Sequence, residues 1–174
     1  MTLKPGNYNP ENYNYRRRTN GTSLTGGKEM GYVHAEIELK NYHDVLRNYD
    51  GLLQENEIRN VTTTALVDTG AWDLVINEEV QQQLNLRVVG KQPVKLADET
   101  VVEVDIVGPV AIRFEERTAI TTAIVLPGSS EVLLGAYPLE GLDAFVDPKR
   151  QKLILNPKTP GNPTLYIRQV SLSI

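Results

Sequence analysis

Between Val33 and Lys40 apolar and polar residues alternate: Val33, Ala35, Ile37 and Leu39 fall on one parity, and His34, Glu36, Glu38 and Lys40 on the other. A period of two is that of a strand with one buried face. Residues 41–60, NYHDVLRNYDGLLQENEIRN, are polar and hold Asp50-Gly51, so they predict a long connection with at most a short helical turn. The β-branched start of VTTTALVD predicts a second strand, and DLVI a third. Asn77 ahead of EEVQQQLNL has the form of an N-cap and a short helix, with Glu78 and Glu79 in the first turn, where the helix dipole favours negative charge. PVKLADETVVEVD predicts a hairpin, with Val94 and Leu96 on one arm, Val102 and Val104 on the other, and Ala97-Asp98-Glu99-Thr100 at the tip. IVGPVAIRF and TAITTAIVL follow as strands joined at Glu115-Glu116-Arg117. EVLLG predicts another strand and AYPLEGLD a short helix, and AFVD with QKLILN closes in a hairpin around Pro148-Lys149. Short strands with regular turn signals and one or two small helices predict an all-β barrel or sandwich.

The two ends differ from this middle. Residues 1–29 are rich in Asn, Tyr, Gly and Thr and nearly free of aliphatics, which predicts a disordered tail. Met30-Gly31-Tyr32-Val33 has the form of an alternative start, and Gly26-Gly27-Lys28-Glu29 can be encoded by a purine-rich stretch resembling a bacterial ribosome-binding site. The tail is therefore expected to be upstream of the true start, a real extension, or a pro-segment. Residues 30–156 form the folded domain, and 157–174 a Pro/Gly linker followed by alternating Leu165, Ile167, Val170 and Leu172. That last segment is expected to supply an interface strand or to pack on its own barrel's edge.

Composition narrows the chemistry. The absence of cysteine excludes disulfide frameworks, zinc-thiolate sites and thiol catalysis, and fits a reducing compartment. No apolar stretch is long enough to span a membrane, and the N-terminus lacks the apolar region of a signal peptide, so the expectation is a soluble cytoplasmic protein. The net charge is -4, while the tail holds Lys4, Arg16, Arg17, Arg18 and Lys28 against Glu11 and Glu29, so the body is the more acidic part. An acidic body argues against nucleic-acid binding, and the arginine cluster reads as a solvated patch. His34 and His43 are too few and too poorly spaced for a metal site, and neither metal nor cofactor is expected. Asp98, Glu99 and Glu103 read as solvation of the hairpin.

The chemistry-bearing stretch is ALVDTGAWDLVI, residues 65–76. Three residues, Asp68-Thr69-Gly70, are also what an exposed turn capped by its own aspartate carries. Apolar strands on both sides instead ask for a loop held against the core, with Gly70 allowing close backbone approach or a positive φ. Taken in order, ALVDTGA (65–71), VKLADETVVEV (94–104) and VLLGAYPLEGLDAFVDPKRQKLIL (132–155) resemble the catalytic loop, flap hairpin and closing motif of retropepsin-like aspartic proteases, most of all the single-domain bacterial kind. The resemblance implies a small closed β-barrel of the retropepsin type. It also implies an aspartic endopeptidase with Asp68 catalytic, and Thr69, Gly70 and Ala71 supporting the loop. Substrate contact would come from Trp72, Asp73, the flap residues Ala97, Asp98, Glu99 and Thr100, and Gly135 of the second motif. Because the chain holds a single Asp-Thr-Gly, the resemblance implies a homodimer with one Asp68 from each subunit, acting on a polypeptide. The alternative is a catalytically inactive barrel serving as a binding or dimerisation module. Three departures from the family stand out: Trp72 follows the Ala of the loop, Ala136 stands where viral members have arginine, and the flap tip lacks glycine.

Overall fold

The computed structural model describes residues 32–95, 99–128 and 130–161. In chain order the elements are β1 (Val33–Asn41), α1 (Tyr42–Tyr49), β2 (Asn60–Val67), β3 (Leu74–Asn77), α2 (Glu78–Leu84), β4 (Val88–Lys95), β5 (Val101–Phe114), β6 (Arg117–Leu126), β7 (Val132–Leu134), α3 (Ala136–Leu142), β8 (Ala144–Asp147) and β9 (Lys152–Leu155). The residues before 32 and after 161, and with them the tail, the alternative start and the alternating segment 163–174, lie outside the described residues.

Strand order closes the molecule on itself. β1 pairs antiparallel with β2, and β2 runs parallel to β7. β7 pairs antiparallel with β3, β3 parallel with β6, and β6 antiparallel with β5. β5 then returns to β1, with Leu39 opposite Ile112. These six strands form a closed barrel, and β4 extends β5 as the outer arm of a hairpin. The alternation in β1 has its expected consequence: Val33, Ala35, Ile37 and Leu39 are buried, and they meet Leu74, Ile76, Ile112, Leu134 and Leu142 in the main core. A smaller cluster of Val75, Val94, Val104 and Ile124 anchors the β4–β5 hairpin to the barrel. Closure leaves few free strand edges, which is the physical advantage of a barrel over an open sheet.

β5 is one strand of 14 residues rather than a hairpin arm followed by a separate strand. Its register against β6 shifts between Val107 and Val110, at Gly108-Pro109. Gly108 has φ of 150°, and a Cβ there would lie 3.2 Å from the Thr122 Cα, so the bulge requires glycine. The bend lets one strand serve both the hairpin and barrel closure.

The described residues hold three α-helices, one more than the pattern predicts at most. The addition is α1, inside the polar connection. Asn41 caps it, its Oδ1 accepting from His43 N at 2.9 Å, and its Nδ2 donates to Leu84 O at 2.9 Å. One residue thus starts α1 and ties it to the end of α2. Asp44 in the first turn is 2% exposed and accepts from Arg59 Nε and Nη2, both at 2.6 Å. The Arg59 hydrogen bonds hold the Asp44 carboxyl below its usual range. Asn77 caps α2 as expected, accepting from Val80 N at 2.9 Å.

Arg117, expected in the β5–β6 turn, is instead the first residue of β6 and 2% exposed. It donates to Asp143 Oδ2 at 3.2 Å and to the Thr159 carbonyl, fastening the stretch after β9 to the barrel. His34 lies on the polar face of β1, 2.7 Å from Glu131 Oε1. No described helix is long and apolar enough to cross a membrane.

Candidate active site

Two chain segments meet to make the site. The first is the loop leaving β2. Asp68 N–H donates to Leu134 O at 3.1 Å, so the loop begins where β2 and β7 end side by side. Ala71 N–H returns to Asp68 O at 3.1 Å, closing a tight turn. Gly70 N–H donates to Asp68 Oδ1 at 2.9 Å, and among the described residues it is the one donor that reaches this carboxylate. Gly70 has no positive φ; a Cβ there would lie 3.1 Å from Asp68 Oδ1, so a larger residue would push the carboxylate aside by a few tenths of an ångström. Asp68 is half-buried, Thr69 and Gly70 are exposed, and Ala71 is buried.

The second segment is Gly135 and the start of α3. Gly135 has φ of -82° and ψ of -179°, a conformation open to any residue. Glycine is demanded here by space: a Cβ would lie 2.4 Å from Asp73 O and 2.7 Å from the Trp72 carbonyl carbon and oxygen. This close approach aligns two free N–H groups of α3 with the loop. Ala136 N–H donates to Ala71 O at 2.8 Å, and Tyr137 N–H to Trp72 O at 2.9 Å. The first N–H groups of a helix lack intrahelical partners, and here they fix the loop. The Asp-Thr-Gly loop and the Leu-Leu-Gly motif, 65 or so residues apart, are therefore one structural unit.

Beyond Ala71 the loop opens into a pocket of about 380 Å³ lined by Trp72, Asp73, Pro109, Ile120, Thr121, Thr122 and Tyr137. The Trp72 and Tyr137 rings lie 6.1 Å apart at 32° and are both about half exposed. Burial pushes the Asp73 carboxyl above its usual range. Trp72 and Asp73 thus share one pocket. The sequence pattern does not single out Tyr137, Pro109 or the β6 residues.

In the β4–β5 hairpin, Val94 faces Val102 and Lys95 faces Val101. Glu99, with φ of 71°, is exposed and ion-paired with Lys95, and Thr100 is exposed. Ala97 and Asp98 lie outside the described residues. Glu103 pairs with Lys91 at 3.2 Å on the hairpin surface. Among the described residues no group of three or more His, Asp and Glu has the arrangement to hold a metal ion.

A half-buried aspartate on a loop braced by a second glycine motif, inside a six-stranded barrel, defines a class. The family model described as gag-polyprotein putative aspartyl protease matches residues 55–140, which span the Asp68 loop, the hairpin and Gly135. Over those residues the chain is similar to the retropepsin-like aspartic proteases. No curated protein matches it.

Proposed function

We propose that the chain is an aspartic endopeptidase that hydrolyses peptide bonds with water activated between two Asp68 carboxylates, one from each subunit of a homodimer. The observation that carries this reading is the half-buried Asp68 carboxylate on a loop braced from both sides, which receives a single N–H among the described residues, in a chain that holds one Asp-Thr-Gly.

The Gly70 N–H occupies one lone pair of Oδ1 and orients the group, leaving Oδ2 for water and for a partner. Two carboxylates brought close cannot both ionise, so the pair holds one proton. The ionised member takes a proton from water as the oxygen attacks the peptide carbonyl, and the protonated member gives its proton to the departing nitrogen. The pair titrates as a unit, so turnover falls on the alkaline side, where the shared proton is lost. Two-fold symmetry supplies the second Asp68 and places both loops at the axis. The polypeptide lies over these loops against Trp72 and Asp73, with Glu99 and Thr100 of the hairpin above it. The cysteine-free sequence is consistent with work in the cytoplasm.

The test is Asp68→Asn, which keeps shape and hydrogen bonding but removes the base. Peptide cleavage should fall by about 10³-fold or more with the unfolding midpoint preserved. Cleavage that survives the substitution removes Asp68 from the chemistry.

A further inference from the structure

The pocket beside the Asp68 loop is built around a carboxylate that has no partner among the described residues. Three other half-buried or buried aspartates show how this chain treats such groups. Asp44 is gripped by Arg59, Asp143 by Thr159, Asn156 and Arg117, and Asp147 by the Arg150 and Lys149 backbone N–H groups and the Arg150 side chain. Each of the three is held below its usual range by those donors. Asp73 has no hydrogen bond or ion pair among the described residues, and burial acts on it uncompensated. A desolvated carboxylate without a donor is unfavourable, so a structural role does not explain it.

Its surroundings have the character of a receptor. Trp72 is 50% exposed and Tyr137 48%, and their rings stand together over the pocket. Ile120 and Pro109 supply an apolar side, and among the described residues no lysine or arginine lines the space. A carboxylate next to aromatic faces attracts a cation, and an apolar side suits the methylene stem of a long basic side chain. The volume of about 380 Å³ lies at the small end of ligand pockets, enough for one side chain.

We propose that this pocket binds a lysine or arginine side chain of a polypeptide, with Asp73 as the counter-charge and Trp72 and Tyr137 as the walls. That the cation arrives on a polypeptide rests on the peptidase reading; the cation chemistry does not. The pocket is then a specificity site, selecting a basic residue at one position near the scissile bond.

Trp72 is the chain's only tryptophan, so its emission reports occupancy without turnover. The probes are blocked pentapeptides of alanine with Lys, Leu or Glu at the centre, titrated into the full-length Asp68→Asn protein. The Lys peptide should change the emission saturably and bind about ten-fold or more tighter than the Leu peptide, with the Glu peptide weakest. Adding Asp73→Asn should abolish that order, and Tyr137→Leu should weaken the Lys peptide a few-fold while sparing the Leu peptide. Equal binding of Lys and Leu peptides, a Lys preference that survives Asp73→Asn, or no saturable change overturns the proposal. Uniform weakening of all three by Asp73→Asn also overturns it, because the carboxylate would then be taking backbone N–H groups. Since no cleavage is read, a failed peptidase reading and a failed pocket give different results.

Discussion

Gly135→Ala adds a single methyl group at the point where α3 meets the Asp68 loop. The backbone of Gly135 is in an extended conformation that alanine adopts freely, so the cost is steric rather than conformational. The new Cβ would lie 2.4 Å from Asp73 O and 2.7 Å from the Trp72 carbonyl, and these are backbone atoms that cannot swing aside as a side chain does. Relief requires the loop and α3 to separate, which strains or breaks the hydrogen bonds Ala136 N–H to Ala71 O and Tyr137 N–H to Trp72 O. Overpacking costs about 1–3 kcal/mol, and each of the two hydrogen bonds about 0.5–1.5 kcal/mol. The expected loss is therefore about 2–6 kcal/mol, a large part of the roughly 5–15 kcal/mol available to a domain. Equilibrium urea unfolding at fixed protein concentration reads it, and peptide cleavage should fall more steeply than the folded fraction because the Asp68 loop is displaced. A loss below about 1 kcal/mol with an unchanged slope and full cleavage would refute the claim that Gly135 seats the loop.

Asp44→Asn should cost about 2–4 kcal/mol at neutral pH, because it breaks a pair whose carboxylate is buried. The Asp44 carboxyl is lowered in the fold, so its stabilisation is present above the unfolded value of 3.8 and is lost as pH falls through the lower folded value; the gap between wild type and variant should close in acid. Asp73→Asn should act in the opposite direction. Burial raises the Asp73 carboxyl, so its contribution to stability is full below 3.8 and is lost as pH rises through the folded value. The asparagine variant should melt higher than wild type at neutral pH, and the difference should vanish in acid. Arg117→Ala should cost about 3 kcal/mol, by stripping Asp143 and Thr159 of their buried partner, and should expose the chain after Asn156 to limited proteolysis.

What could be read from the sequence was local or spaced in a known order. The parity of β1 and the cap at Asn77 depend on residues within a few positions of one another, whereas the Asp68 loop and its second glycine motif, some 65 residues apart, are legible through their order along the chain. The misreadings share a different cause. Arg117 follows two glutamates and looks like a turn residue; its burial depends on Asp143 and Thr159, which are 26 and 42 positions away. The helix α1 sits in a polar stretch whose stability comes from Asn41 reaching Leu84 and from Arg59 folding back on Asp44. Gly108-Pro109 carries the signs of a strand break, yet the structure uses it as a bulge within β5. The pocket draws its wall from the loop, β5, β6 and α3, so only Trp72 and Asp73, adjacent to the motif, were visible in advance.

The central claim is that two Asp68 residues from two subunits act as one catalytic unit. Mixing wild-type and Asp68→Asn subunits under conditions that allow exchange, and measuring peptide cleavage against the mixing ratio, tests it most directly. If each site needs both carboxylates, the mixed dimer is inactive and cleavage falls as the square of the wild-type fraction, to about one quarter in an equal mixture. A linear fall to about one half, cleavage by the variant alone, or no cleavage by the wild-type protein would contradict it.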